Sequence, residues 1–263
     1  MQPVLQRAFI YTGDSVDEVV AKLAAQYGTY LRNAVELAAK HINDAGAAGS
    51  YTIEVVPQDD QMDPKQAATV AQRLVSEGDI LAVVGHFSST TSLAAQPIYE
   101  RAGIPMISPS STSPDLANKS NFYRTAVTDD VVSTQLADYA VGKKGFKRIA
   151  ILYQTGTSTI AQGEIFAKHA KELGAEIVLM EGHEPERVDF QAAVTTLVPL
   201  KPDLVFVPTF TAEASKIARQ LREAGITAPL MGTDALFDPQ FIKLAGDAGN
   251  GTYAAAFFVE SST

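Results

Sequence analysis

Short strand-forming runs alternate with segments of helical periodicity along the whole chain, and this alternation constrains the fold more than any other feature. The segment YLRNAVELAAKHIN, for example, carries apolar residues such as Leu31 and Val35 at helical spacing. The predicted strands are Val4–Thr12, Thr52–Pro57, Ile80–Gly85, Pro105–Ser108, Arg148–Tyr153, Glu176–Met180, Leu204–Pro208, Pro229–Gly232 and Thr252–Val259. Alternation of this kind predicts an α/β protein with parallel sheets flanked by helices.

Two stretches of the sequence resemble copies of one unit, which favours two lobes. One stretch begins at Leu81 and the other at Leu204. Both continue from strand through polar turn and helix to Ala-Gly-Ile, a nearby proline and a second strand. Strand–helix–strand units are common, so a single unrepeated fold remains an alternative. We predict two Rossmann-like lobes, residues 1–122 and 123–250, and a crossing strand back towards the first lobe over residues 251–263.

Composition excludes several classes of function. The chain has 21 Lys and Arg against 30 Asp and Glu, a net charge of -9, and no basic stripe interleaved with aromatic residues, so nucleic acid is not an expected partner. The absence of cysteine excludes thiol catalysis, disulfides and cysteine metal sites. No run approaches the roughly 20 apolar residues of a membrane span, and no leader peptide opens the sequence. We therefore expect a mature exported protein or a cytosolic one.

Polar clusters follow four of the predicted strands, where ligands bind in parallel sheets. The clusters are Phe87–Thr91, Ser108–Ser113, Thr209–Thr211 and Thr233–Asp234. The hydroxyls of Ser88–Thr91 also begin a helical segment, where one hydroxyl is enough to cap the helix. The remaining hydroxyls, at a helix N-terminus, suit a small anion such as a carboxylate. Asp234 in the second lobe offers a negative charge, which suits a cation. A carboxylate-binding cluster on one lobe and an acid on the other together suit an amino-acid zwitterion.

Catalytic and metal-binding alternatives find little support in the motifs. The four histidines are scattered, and His86, although it adjoins the serines, is interpreted as a packing residue. Asp59, Asp60 and Asp63 lie close together but lack the glycine and distal glutamate of a calcium loop. Asp63 before Pro64 instead predicts a helix N-cap. We predict no catalytic residue, no metal and no cofactor.

Several stretches of the chain resemble one known family. They are AAQYG (24–28), DDQMDPKQA (59–67), VVGHFSSTTS (83–92), IYERAGIPMISPSSTSPDL (98–116), DFQAAVTTL (189–197), ARQLREAGITAPLMGTDAL (218–236) and IKLAGDAGNGTY (242–253). In this combination the sequence resembles the branched-chain amino acid–binding proteins of ABC transporters, which have the type I periplasmic binding protein fold.

The resemblance implies individual ligand contacts. Ser89 matches the hydroxyl that takes the ligand α-carboxylate, and the main chain of Ser110 and the side chain of Thr112 match its partners on the next strand end. Tyr27 matches an aromatic wall beside the ligand side chain. Asp234 matches the acid that pairs with the α-ammonium.

The sequence departs from the family pattern in the second lobe and at its end. A tyrosine expected before a glycine after RIAIL is absent, so Tyr153 is a candidate replacement, and Phe210 stands where a tyrosine is common. These changes favour an apolar ligand. The final third of the family pattern does not follow Thr263, so the resemblance predicts a truncated or rearranged fold. Exposed apolar surface on lobe one, or self-association through it, is then expected.

The resemblance implies a non-enzymatic, periplasmic or extracellular binding protein. It would capture a small, hydrophobic or branched-chain amino acid in a cleft between the lobes and present it to a membrane ABC permease. The alternative is the ligand-sensing domain of a receptor or cytosolic regulator. An enzyme is disfavoured because no base accompanies Ser89 or Asp234.

Overall fold

The computed structural model describes the backbone of residues 4–11 and 20–256 and the side chains of residues 27–256. The chain divides into two compact units, Met1–Ala126 and Val127–Thr263. None of the helices within the described ranges has both the length and the apolar character that a bilayer crossing requires.

The first unit is a five-stranded parallel sheet with helices between its strands. Its elements are β1 (Val4–Tyr11), α1 (Val20–Asp44), β2 (Tyr51–Gln58), α2 (Pro64–Glu77), β3 (Ile80–Val84), α3 (Ser89–Arg101), β4 (Met106–Ser108) and β5 (Phe122–Arg124). The strand order is β2-β1-β3-β4-β5, and every described pairing is parallel. The carboxyl ends of the strands therefore lie along one edge of this sheet.

The second unit repeats the plan. Its elements are α4 (Asp129–Ala137), which continues as a π-helical turn (Asp138–Lys143), β6 (Arg148–Gln154), α5 (Thr157–Glu172), β7 (Glu176–His183), α6 (Gln191–Leu200), β8 (Leu204–Phe206), α7 (Thr211–Glu223), β9 (Leu230–Gly232), α8 (Pro239–Ala245) and β10 (Tyr253–Ala254). The strand order is β10-β9-β8-β6-β7, again with parallel pairings. The predicted α/β class with parallel sheets flanked by helices is confirmed.

Two short strands differ from the sequence-based expectation. β5 was not predicted, because three residues carry too little periodicity; it is defined by its pairing of Phe122 with Met106 on β4. This pairing keeps the segment in the first unit, which ends at Ala126, whereas the sequence suggested residue 122. β10 pairs with β9 inside the second unit, and residues 257–263 of the predicted crossing strand lie outside the described residues.

Helix boundaries follow local capping chemistry. The carboxylate of Asp63 accepts hydrogen bonds from the backbone N–H groups of Lys65 and Gln66, and Pro64 is the first residue of α2. The predicted N-cap is therefore confirmed. α2 ends at Glu77, and the φ of 83° at the following Gly78 is that of a left-handed C-cap, which glycine adopts at little cost.

The second unit buries both faces of its sheet. Ile149 and Ile151 of β6 belong to the apolar cluster that α4 and α5 cover. Ala150 and Leu152 belong to the cluster on the opposite face, which α6, α7 and α8 cover. Alternate residues of a strand point to opposite faces, so a continuous apolar run such as IAIL (149–152) is what a two-sided core requires.

The first unit is packed less evenly. Val83, Met106 and Phe122 form one layer across β3, β4 and β5 and are buried with residues of α2 and α3. The next residues along β4 and β5, Ile107 and Tyr123, pair with each other on the opposite face and are 37% and 58% exposed. At these two strands the opposite face of the sheet is thus apolar and accessible to solvent.

Candidate functional site

The hydroxyl run after β3 begins with a helix cap. The hydroxyl oxygen of Ser88 accepts a hydrogen bond from the backbone N–H of Thr91 at 3.2 Å. The Thr91 hydroxyl donates to the Ser88 carbonyl oxygen at 3.0 Å, and the two hydroxyl oxygens are 2.9 Å apart. Because the Thr91 hydrogen goes to the carbonyl, Ser88 donates in the contact between the hydroxyls. These two side chains therefore satisfy each other at the start of α3.

A second pair of hydroxyls joins α3 to the loop after β4. The hydroxyl oxygens of Ser92 and Ser111 are 2.7 Å apart, and both residues are fully buried. The Ser111 hydroxyl also donates to the carbonyl oxygen of His86 at 3.2 Å. The Ser108 hydroxyl donates to that same carbonyl at 2.9 Å and accepts from the N–H of Ser111 at 2.9 Å. The hydroxyls of Ser92, Ser108 and Ser111 are therefore bonded within the protein and hold the loop after β4 against α3.

Ser89 differs from its neighbours because its hydroxyl hydrogen is still available. The residue is 3% exposed and is the first of α3, and its oxygen accepts from the backbone N–H of Ser113 at 3.1 Å. Among the described residues this is the one hydrogen bond of the Ser89 hydroxyl, and in it the hydroxyl oxygen is the acceptor. The hydroxyl can therefore donate to an anion at the positively polarised N-terminus of the helix.

The other residues predicted for the first lobe lie beside Ser89. The ring of Tyr27 stacks on Phe87, with ring centroids 5.1 Å apart. The Ser110 hydroxyl donates to the carbonyl oxygen of Phe87 at 2.7 Å, so its hydrogen is already used. Thr112 is buried between Ser111 and Ser113. The structure thus brings Tyr27, Ser110 and Thr112 to the same sheet edge as Ser89.

Arg124 holds the loop that carries Thr112. Its guanidinium donates to the carbonyl oxygens of Ser111 and Ser113 at 3.2 and 2.8 Å, on either side of Thr112. The sequence gives no signal for this contact, because Arg124 lies on the short strand β5, which periodicity does not predict. Two carbonyls held by one guanidinium limit the movement of the loop.

His86 packs inside the first unit, as the sequence predicted, but it also has a polar partner that the sequence did not reveal. Its Nδ1 lies 2.6 Å from the Oδ2 of Asp60, and the two side chains are 0% and 1% exposed. Burial lowers the pKa of His86, and this effect outweighs the hydrogen bond and charge of Asp60, which act in the opposite direction. The neutral imidazole therefore donates to the Asp60 carboxylate.

Asp234 opens a short 3-10 helix (Asp234–Leu236) directly after β9. The residue is exposed, yet protein atoms around its carboxylate desolvate it and raise its pKa to about 6. The negative charge of Asp129 adds to the rise, whereas backbone hydrogen bonds at Asp234 and Ala235 oppose it. Solvent at the exposed side chain screens part of these effects.

Asp129 is a buried acid that is not among the residues predicted from the sequence. It is the first residue of α4 and is 0% exposed. Its carboxylate accepts from the Ser158 hydroxyl at 2.8 Å and from the Gln162 amide at 2.7 Å. The pair Asp129 and Asp130 at a helix start was the available signal, but it also suits ordinary helix capping. The second unit therefore carries two acids close enough to interact.

The two remaining candidates of the second lobe, Phe210 and Tyr153, lie in different surroundings. Phe210 precedes α7, and the hydroxyl of the next residue, Thr211, donates to the carbonyl oxygen of Ala235 at 2.6 Å. This bond brings the start of α7 beside the Asp234 turn. The ring of Tyr153 instead covers Gly182 on β7, where an added Cβ would lie 2.9 Å from the ring. Tyr153 belongs to the apolar cluster under α4 and α5.

No group of three or more potential metal ligands is found among the residues that the structure describes. The side chains at the two sheet edges instead offer hydroxyl donors in the first unit, and carboxylates in the second.

The amino-acid sequence matches a family of ligand-binding proteins. The family model for periplasmic binding proteins matches residues 23–263. The chain therefore belongs to the periplasmic binding protein family, which confirms the resemblance noted in the sequence.

Within this family, the chain is similar to amino acid–binding proteins. It is 33% identical over 224 residues to an amino acid binding protein of Pseudomonas aeruginosa, an alignment that covers 84% of this chain and 60% of the relative. It is 31% identical over 229 residues to the Leu/Ile/Val-binding protein of Escherichia coli K12, which covers 86% and 62%. The chain thus spans about 60% of the length of these relatives.

Solved structures show the same fold. The branched-chain amino acid substrate-binding protein LivJ of Streptococcus pneumoniae, in complex with isoleucine, has a TM-score of 0.83 and 29% identity, covering 98% of this chain and 73% of LivJ. A solute-binding protein of Rhodopseudomonas palustris, in complex with benzoate, also has a TM-score of 0.83, at 22% identity, covering 95% and 68%. The fold is therefore that of type I periplasmic binding proteins.

Proposed function

We propose that this chain binds a small, apolar amino acid as the solute-binding component of an ABC transporter. The observation that carries the proposal is the Ser89 hydroxyl, buried at the N-terminus of α3 with its hydrogen still available. A helix N-terminus with a spare hydroxyl donor favours a carboxylate ligand.

Each unit supplies groups for one pole of a zwitterion. In the first unit, Ser89, the main chain of Ser110 and Thr112 would bind the α-carboxylate. In the second unit, Asp234 would accept from the α-ammonium. Tyr27 and Phe210 would contact the ligand side chain. Tyr153 has a packing role in this proposal because its ring covers Gly182.

The two structural neighbours differ in the ligand they hold, isoleucine in one and benzoate in the other. Both ligands have a carboxylate, but benzoate has no ammonium group. The carboxylate of Asp234, with Asp129 near enough to raise its pKa, favours a cation and disfavours a purely anionic ligand. We therefore infer that an amino acid binds in preference to an aromatic acid.

The family also supports an exported location and a transient partnership with a membrane permease. A ligand-sensing domain of a receptor or regulator is the second candidate, since the same binding site would serve it. The two differ in the partner that recognises the ligand-bound state. Pull-down by the permease of a transporter, in the presence and absence of ligand, distinguishes them.

Isothermal titration of the purified 263-residue chain tests the proposal. Leucine, isoleucine, valine, phenylalanine and alanine are compared with leucinamide, which lacks the carboxylate, and benzoate, which lacks the ammonium. We expect heat with at least one apolar amino acid and much weaker binding of both analogues. Asp234→Asn should weaken amino-acid binding, whereas Asp247→Asn, at another exposed acid of the same unit, should not. Equal binding of benzoate and leucine would remove Asp234 from the proposed site.

A further inference from the structure

We propose that the buried pair of Asp60 and His86 positions the hydroxyls that bind the ligand carboxylate; this inference rests on the proposed function. Neither residue is among those proposed to bind the ligand. It acts on Ser89 through a chain of hydrogen bonds that begins at the backbone carbonyl of His86.

The pair joins two loops that are not adjacent in the sheet. β2 and β3 are not neighbours, because β1 lies between them. Asp60 follows β2 and His86 follows β3, so the 2.6 Å contact between their side chains joins two loops that no strand pairing connects. The pair therefore fixes the loop after β3 relative to the loop after β2.

Asp60 is itself held in place by backbone hydrogen bonds. Its Oδ1 accepts from the backbone N–H of Met62 at 2.9 Å, and its carbonyl oxygen accepts from the N–H of Asp63 at 2.9 Å. Asp63 in turn caps α2. Both carboxylate oxygens of Asp60 are thus bonded, and the acceptor offered to His86 cannot rotate away without breaking a turn.

Hydrogen bonds connect the backbone of His86 to the hydroxyl of Ser89. The His86 carbonyl accepts from the hydroxyls of Ser108 and Ser111, which uses both of its lone pairs. These bonds fix the loop after β4, and two residues further on the N–H of Ser113 donates to the hydroxyl of Ser89. That last bond makes the Ser89 oxygen an acceptor and leaves its hydrogen available to a ligand.

The energetics also favour positioning over stability. A buried charge and a buried imidazole both lose hydration, and well-packed apolar residues of similar size are often equally stable or more stable in their place. The presence of the buried pair is therefore weak evidence for a role in stability alone. A pair that orients a carbonyl with two hydroxyls on it has a geometric role that apolar residues do not supply.

Two variants separate these roles. Asp60→Asn keeps the shape of the side chain and removes its charge, and the double variant Asp60→Leu with His86→Phe replaces both polar partners by apolar ones. His169→Asn is the matched control, because His169 also contacts an aspartate, Asp138, but is partly exposed in the second unit. All are made in the full chain.

The first measurement needs no ligand: amide hydrogen exchange at Ser111 and Ser113. We expect exchange at these two sites to be faster by about tenfold or more in both variants, since their acceptors lose orientation. The amides of Val83 and Met106, which bond to neighbouring segments of the same sheet, should be unchanged. Equal acceleration of all four amides, or unfolding of both variants, would mean that the pair supports folding and would overturn the proposal.

The second measurement is the affinity for leucine and for leucinamide. We expect leucine to bind about tenfold more weakly to the double variant, with a smaller change for leucinamide, because only the carboxylate contact is misplaced. Unchanged exchange together with unchanged leucine affinity would also overturn the proposal. If the native chain binds no amino acid, the proposed function fails, and the exchange measurement still decides the role of the pair.

Discussion

The backbone N–H of Ser113 donates to the hydroxyl oxygen of Ser89 at 3.1 Å, across the gap between α3 and the loop after β4. This bond leaves the Ser89 hydrogen free for a ligand. We expect Ser89→Ala to weaken leucine binding by about tenfold to a hundredfold, the usual size of a hydrogen bond to a charged group. Isothermal titration measures the loss.

Ser88→Ala is the matched control for that variant. Its hydroxyl caps α3 and bonds to Thr91, so its removal should lower the free energy of unfolding by about 1 kcal/mol and leave leucine affinity unchanged. Urea unfolding measures the stability. A Ser88→Ala variant that loses affinity as strongly as Ser89→Ala would show that the two hydroxyls do not have separate roles.

The raised pKa of Asp234 predicts a pH-dependent affinity. With its pKa at about 6, Asp234 in the free protein is increasingly protonated below that pH and cannot pair with an ammonium group. Leucine affinity should therefore rise with pH through about pH 6 and level off above about pH 7, with a slope of at most about tenfold per unit. Titrations in a series of buffers test this.

Asp234→Asn should abolish the pH dependence as well as weaken binding, because its side chain does not titrate. The same raised pKa acts on stability: the folded state holds the proton more tightly than the unfolded chain, so the free energy of unfolding should fall slightly as pH rises from about 4 to about 6. An affinity in the native chain that is flat between about pH 5 and pH 8 would contradict the assignment of Asp234.

Tyr153 and Phe210 should respond differently to substitution. Tyr153 covers Gly182 beneath α5, so Tyr153→Leu should lower the free energy of unfolding by about 1–3 kcal/mol and leave leucine affinity within about twofold. Phe210→Ala should instead weaken the binding of large apolar amino acids by about threefold or more. Thermal unfolding measures the stability of both variants, and isothermal titration measures their affinity for the ligand. Loss of leucine affinity in a folded Tyr153→Leu variant would show that Tyr153 contributes to ligand binding.

The exposed apolar face of the first unit predicts self-association. Ile107 and Tyr123 pair across β4 and β5 and are exposed on one face. We expect concentration-dependent dimers in analytical ultracentrifugation and a shift towards monomer in Tyr123→Ser. Val188→Ser, at an exposed apolar residue of the second unit, is the control. A native chain that is monomeric at every concentration, or dimers that survive Tyr123→Ser unchanged, would contradict this role of the face.

Short-range sequence patterns predict much of the fold. Alternating strand and helix segments predict parallel sheets, and Asp63 before Pro64 predicts the start of α2, because both depend on residues near in sequence. β5 is not predicted, because it depends on a residue pairing that is distant in sequence. Its three residues acquire a strand conformation only by pairing with β4.

The candidate site divides in the same way. The sequence alone determined the chemistry: a run of hydroxyls at a helix start, an acid after β9, and the family to which these belong. Which hydroxyl keeps a hydrogen for the ligand was decided only by the tertiary structure, as were the pairing of Asp60 with His86 and the burial of Asp129. Those contacts join residues more than twenty positions apart, and their partners are set by strand order and helix packing, which short-range periodicity does not encode.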